Sequence, residues 1–131
     1  MPFFVVQAPA SSTSGDIVQS KTFSCLASAA VDDLVRISTS TNSFVDVVAN
    51  NLGSKPVVGV IQSKPTTTTC VVVLLGCITD PDSTTVGPLW LSATGRFTRT
   101  APSSGYLQRL GFSLGNGQID FKPDKTMVNR P

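Results

Sequence analysis

The feature that most constrains this chain is its punctuation. Short Val- and Thr-rich runs are each closed off by Gly, Pro, Asn or Asp before a helical period can establish itself. β-branched side chains lose rotamer freedom in a helix and fit a pleated, half-buried surface. The runs read as strands at Thr22–Ala27, Leu34–Ser38, Phe44–Val48, Val57–Ser63, Thr69–Ile78, Pro88–Ser92, Phe97–Arg99, Leu107–Ser113 and Gln118–Phe121. Gly53-Ser54, Pro65, Pro81-Asp82, Gly95, Ser103-Ser104-Gly105 and Asn116-Gly117 separate them. Asn116-Gly117 matches a type I′ hairpin, in which both central residues need positive φ. Many short strands at close spacing predict an all-β fold, a compact β-sandwich or small barrel of the jelly-roll or tulip-like kind, rather than βαβ units.

An internal echo sharpens that reading. DDLVRISTSTNSFVDV followed by PVVGVIQSK parallels VGPLWLSATGRFTRT followed by LQRLGFSLG. In each, a strand ending in Ser (Ser38, Ser92) leads through a turn to a second strand and then to a third built around Gly59 or Gly111. This predicts two related three-strand units with the Thr69–Ile78 strand between them. Glycine inside a strand predicts a bulge, a bend or a close backbone approach.

The chain of 131 residues is long enough for one domain with its own core. Residues 1–16 read as an extended N-terminal arm, with an apolar tip at Phe3, Phe4, Val5 and Val6 ahead of a Pro-, Ser- and Gly-rich stretch; residues 17–131 form the β domain. The arm is expected to dock on a neighbouring subunit, with packing on its own domain the alternative. No apolar run is long enough to span a bilayer, and the N-terminus lacks the basic region of a signal peptide, so synthesis in a cytoplasm is expected.

The chemistry of sites is sparse. There is no His, which removes the commonest general base and metal ligand and every Ser–His or Cys–His pair. Glu is absent, and Asp32-Asp33 and Asp80-Pro81-Asp82 are the paired carboxylates; their spacing matches no cation loop and suits turns at strand ends. Cys25, Cys70 and Cys77 form no CxxC pair and read as small apolar side chains, with a disulfide or reactive thiol as the alternative; no metal and no cofactor is expected. A net charge of +2 with scattered Lys and Arg does not make a nucleic-acid footprint. Arg96, Arg99 and Arg109 interleave with Trp90, Phe97, Tyr106 and Phe112; these read as core aromatics with solvated or interface arginines, with a single-strand stacking surface as the alternative. Only 14% of the residues are charged, about half the share usual in a soluble domain, which suits a surface partly covered by a partner. No catalytic residue is identified, and the chain is not read as an enzyme.

The stretch VGPLWLSATGRFTRTAPSSGYLQRLGFSL resembles a repeating theme of small tailed-bacteriophage virion proteins: a strand ending LSATG, then T-x-T-A-P, then a strand with a central Gly. FSCLASAAVDDLVRIS, PVVGVIQSK and TTTTCVVVLLGCI fit the same theme, so the resemblance covers most of residues 22–121. The chain departs from the pattern at Asp33 and Pro88, where such modules often carry Gly-Asp or Gly-x. The theme occurs in capsid decoration (cement) proteins and in phage tail and fibre modules. The resemblance implies a structural virion protein, made in the host cytoplasm, that binds the outer surface of a capsid and stabilises it by multivalent contacts. Its implied partners are the major capsid protein and further copies of itself, as a homotrimer or a dimer, with neither nucleic acid nor membrane. The residues expected at such an interface are Phe3, Phe4, Val5, Val6, Trp90, Arg96, Arg99 and Tyr106. A tail or head-fibre module is the alternative, and a sugar- or receptor-binding domain using Trp90 or Tyr106 as a stacking platform is the third reading.

Overall fold

A computed structural model describes residues 18–130. Among them the chain is all-β: β1 (Val18–Ser24), β2 (Leu34–Ile37), β3 (Val45–Val47), β4 (Gly59–Thr66), β5 (Thr69–Thr79), β6 (Gly87–Leu91), β7 (Phe97–Thr98), β8 (Gly105–Leu107), β9 (Arg109–Gly115), β10 (Gln118–Phe121) and β11 (Val128–Arg130). One antiparallel sheet runs β3-β2-β4-β5-β10-β9-β6-β7 and curls into a half-barrel; β8 and β11 make a separate two-stranded ribbon. β1 pairs with β5 along Thr69–Gly76 and β10 pairs with it along Gly76–Thr79, so that Gly76 has Val18 on one side and Phe121 on the other.

The sheet order reads the same from both ends. A β2–β3 hairpin with β4 on the other edge of β2 is matched by a β6–β7 hairpin with β9 on the other edge of β6. β5 beside β4 is then matched by β10 beside β9, so each of the two three-strand units has a fourth strand beside it. The register agrees residue by residue: Val35 faces Gly59, and Leu89 faces Gly111. The turns agree as well. Ser38 N donates to Phe44 O (2.9 Å), and Ser92 N donates to Arg96 O (2.8 Å). Ser38 Oγ accepts from Ser40 N and Ser92 Oγ accepts from Thr94 N, both at 3.2 Å.

The two mid-strand glycines mark equivalent close approaches. A Cβ on Gly59 would collide with Val72 Cγ1 and lie 2.7 Å from the Val73 carbonyl oxygen; one on Gly111 would collide with the Asp120 carbonyl oxygen. Val73 faces Val60 and Asp120 faces Phe112, the residues that follow the two glycines, so the carbonyls are counterparts in the two repeats. Asn116 (φ 54°) and Gly117 (φ 74°) form the expected hairpin turn, and Gly95 turns at φ 76°.

Four strand assignments differ from the sequence reading by more than a residue at an end. β4 runs Gly59–Thr66 rather than Val57–Ser63, with Pro65 near its exposed end inside the strand instead of separating it from the next. β1 lies at Val18–Ser24 rather than Thr22–Ala27, because the 25–33 segment leaves the edge of β5 to fold over the sheet. The expected Leu107–Ser113 strand is broken at Gln108, whose side chain turns inward. β11 was not expected, since all three of its residues are exposed and carry no alternation.

Alternation along β2, β4 and β5 sends neighbours to opposite faces. Leu34, Val60 and Val73 join Leu89, Leu91, Leu110, Ile119 and Phe121 in the interior of the half-barrel, a core drawn from both repeats. Val35, Ile61 and Val72 face the other way, into a second core completed by Phe23, Cys25, Ala29, Val45 and Cys70. Every member of that second core lies between Phe23 and Val72, before the second hairpin begins at β6. The 25–33 segment that covers it is tied down by Lys64 Nζ, which donates to the carbonyls of Leu26 (3.3 Å), Ala27 (3.1 Å) and Ala29 (2.6 Å).

Candidate functional site

At one end of the half-barrel interior lies an open cleft of about 390 Å³. Its apolar wall is Val60 of β4, Ile78 of β5 and Phe97 of β7, with Thr79 beside them. Ile78 and Phe97 pack against the shared core, and the Phe97 ring meets Phe121 edge-on at 6.0 Å. The cleft thus opens where the core reaches the rim, between strands of the two repeats. Asp32, Asp80, Asp82 and Arg96 complete the lining.

Local backbone chemistry fixes the acids. Asp80 N donates to Gly117 O (2.7 Å) and Gly117 N to Ser83 O (3.0 Å), docking the turn after β5 on the β9–β10 hairpin. Within that turn Asp80 Oδ1 accepts from Asp82 N (3.0 Å). Asp32 is held at φ 77°, its N donating to Ile61 O (2.8 Å). Such a left-handed conformation is tolerated best by Asn and Asp outside glycine. Arg96 is mostly exposed and bridges to Asp33 Oδ1 at 3.4 Å, the one ion pair among the described residues. The cleft therefore has three carboxylates on its lining and one guanidinium already engaged by a fourth. The described residues hold no group of three His, Cys, Asp or Glu placed to share a metal ion. What the arrangement offers a ligand is negative charge above an apolar wall.

The structure distributes the expected interface residues over several elements. Phe3, Phe4, Val5 and Val6, and with them the whole arm, lie outside the described residues. Arg96 lines the cleft and Arg99 is exposed just beyond β7. Trp90 of β6 is half-buried, with the Arg109 guanidinium 5.5 Å from its ring centre. Tyr106 sits half-buried on the β8–β11 ribbon, its N donating to Asn51 O (2.7 Å). That ribbon is anchored by the buried Asn51, whose Nδ2 donates to Ser104 O (2.9 Å). Arg96 is thus the single expected residue in the cleft, and its companions there are the acids that the sequence presents as turn formers. Both Asp pairs abut strand ends, which was the legible signal; which ends meet was not.

Two further surface features stand out. Ile37 and Val47 lie on one face of the β2–β3 hairpin, exposed beside the buried Val35 and Val45. Val86 and Leu114 flank the Gly87–Ser113 pair across β6 and β9 and are 62% and 47% exposed.

Comparison with protein-family models, with curated proteins and with solved structures returned no match.

Proposed function

We propose that this chain is a structural virion protein that decorates the outer surface of a tailed-bacteriophage capsid and stabilises the shell by multivalent non-covalent contacts. The sequence resemblance is the ground of the reading. The observation that supports it is the pair of separate apolar patches, Ile37 with Val47 and Val86 with Leu114, carried on a small domain with a sparsely charged surface. A protein that cements a lattice must touch more than one neighbour at once, and two modest patches on different strands suit that task better than one large one. Each contact is weak alone; repetition over the lattice makes attachment firm.

The test is co-sedimentation with capsids stripped of the protein, with light scattering on the free chain. Saturable binding at a fixed ratio to capsid subunits, reduced in Ile37→Asp and Leu114→Asp variants, is the expected result. No binding to shells, with retention on tail or fibre fractions instead, overturns it.

A further inference from the structure

We infer that the cleft at the rim of the half-barrel receives one long cationic side chain, lysine or arginine, presented by a partner protein. The argument rests on how the lining is divided. Val60, Ile78 and Phe97 give an apolar wall, and Asp32 and Asp82 bring carboxylates to the same cleft. Lysine and arginine carry the same division: an aliphatic stem that gains by leaving water and a charged head that needs acceptors. The half-buried Phe97 puts an aromatic ring on the same wall, and a cation is drawn to such rings.

Charge excludes the opposite class of ligand. Arg96 is the cation of the lining, and it is engaged by Asp33 at 3.4 Å. A phosphate or carboxylate entering here would meet three carboxylates against this one guanidinium. Size excludes an extended chain. About 390 Å³ lies near the lower end of small-ligand pockets, room for one long side chain with water around its head. A side chain displayed on a protein fits better than a free amine, because one such contact is weak alone and becomes useful when other contacts hold the partner in place. This inference is independent of the capsid reading: it names the chemistry of the contact and holds for any protein partner.

The experiment is a titration of ¹⁵N-labelled protein with N-acetyl-arginine amide, followed by amide chemical shifts at low salt, with N-acetyl-citrulline amide as the neutral isostere. The expected result is a saturable shift of the Asp32, Thr79, Asp82 and Phe97 amides with a dissociation constant on the order of 1 mM. The citrulline probe should bind at least about tenfold more weakly, the loss of one charge-assisted contact. The Asp32→Asn/Asp82→Asn double variant should lose affinity by a similar factor. Asn tolerates the left-handed backbone of position 32, so that variant keeps its fold, and an otherwise unchanged spectrum verifies this. Phe97→Leu keeps an apolar wall without the ring and should weaken binding about threefold. Three results would each overturn the inference: no shift at saturating probe, equal binding of the citrulline analogue, or shifts that persist undiminished in the double variant.

Discussion

The two halves of this sheet share a strand order, a register, a turn chemistry and a pair of mid-strand glycines, yet they are finished differently. In the first half, Ile61 of β4 points into the second core, beneath Phe23 and the 25–33 segment. The matching position in the second half is Ser113 of β9, also fully buried but polar, its Oγ accepting from Gly115 N at 3.4 Å. The second half instead carries a buried amide. Gln108 Oε1 accepts from Val57 N (2.8 Å), and its Nε2 donates to Val57 O and Asp124 O (both 2.9 Å). The side chain thereby pairs with Val57 as a neighbouring strand would. One backbone plan is stabilised by apolar burial on two faces in one half, and by burial on one face plus a satisfied polar clamp in the other. Shared backbone geometry is set by the strands and glycines; how each face is closed is a separate decision.

The largest expected effects fall where the halves agree. Gly59→Ala and Gly111→Ala should each cost about 3 kcal/mol, because the new Cβ meets backbone that cannot move without opening a ladder. Urea unfolding of both variants checks this, and a loss confined to one glycine would break the equivalence. Gln108→Ala tests the clamp that only the second half has. It strands Val57 N–H, Val57 C=O and Asp124 C=O at once, for an expected loss of about 2–3 kcal/mol in the same assay. A loss well below 1 kcal/mol would mean the amide is not the second half's substitute for a core.

The second core of the first half should report itself through pH. Burial, and then a hydrogen bond with Cys25, push the Cys70 thiol from 9.0 up to about 11. The folded state therefore holds a proton that the unfolded chain releases first, so the stabilisation is complete below pH 9 and is lost as pH rises towards 11. The expected decline is about 2 kcal/mol across that window, measured by denaturation at several pH values. Cys70→Val should flatten the part of the decline that belongs to the thiol. The smallest effects come from the turns. Ser38→Ala should cost about 0.5 kcal/mol and Ser92→Ala about 1 kcal/mol, since each hydroxyl accepts from the residue two positions on in an exposed turn and Ser92 Oγ accepts from Arg96 N (3.0 Å) as well. Equal losses would show that the extra bond in the shorter turn at Ser92 adds nothing.

What the sequence made legible was local. Strand positions, the Asn116-Gly117 hairpin, the Gly95 turn and the echo around Ser38 and Ser92 all depend on residues close in sequence. The break at Gln108 was hidden because the reason for it, Val57, is 51 positions away. β11 was hidden because Val128, Asn129 and Arg130 are all exposed, which leaves no apolar alternation to read. The acidic cleft was hidden for a third reason. Asp32 and Asp80 announce turns with equal clarity, but only the curl of the sheet brings those turns to the same rim as Phe97.

The pairing of β5 with distant strands has a consequence in time. Within each repeat the hairpins and the β2–β4 and β6–β9 ladders join stretches that are near in sequence, so closing them costs little chain entropy. β1 and β10 must reach β5 from much further away, and each pairs with only part of its length. The expected order of folding is two hairpin-based halves first, joined afterwards through β10 and sealed by β1. Pulse-labelled hydrogen exchange would show it as early protection of the β4 and β6 amides and late protection of those in β1.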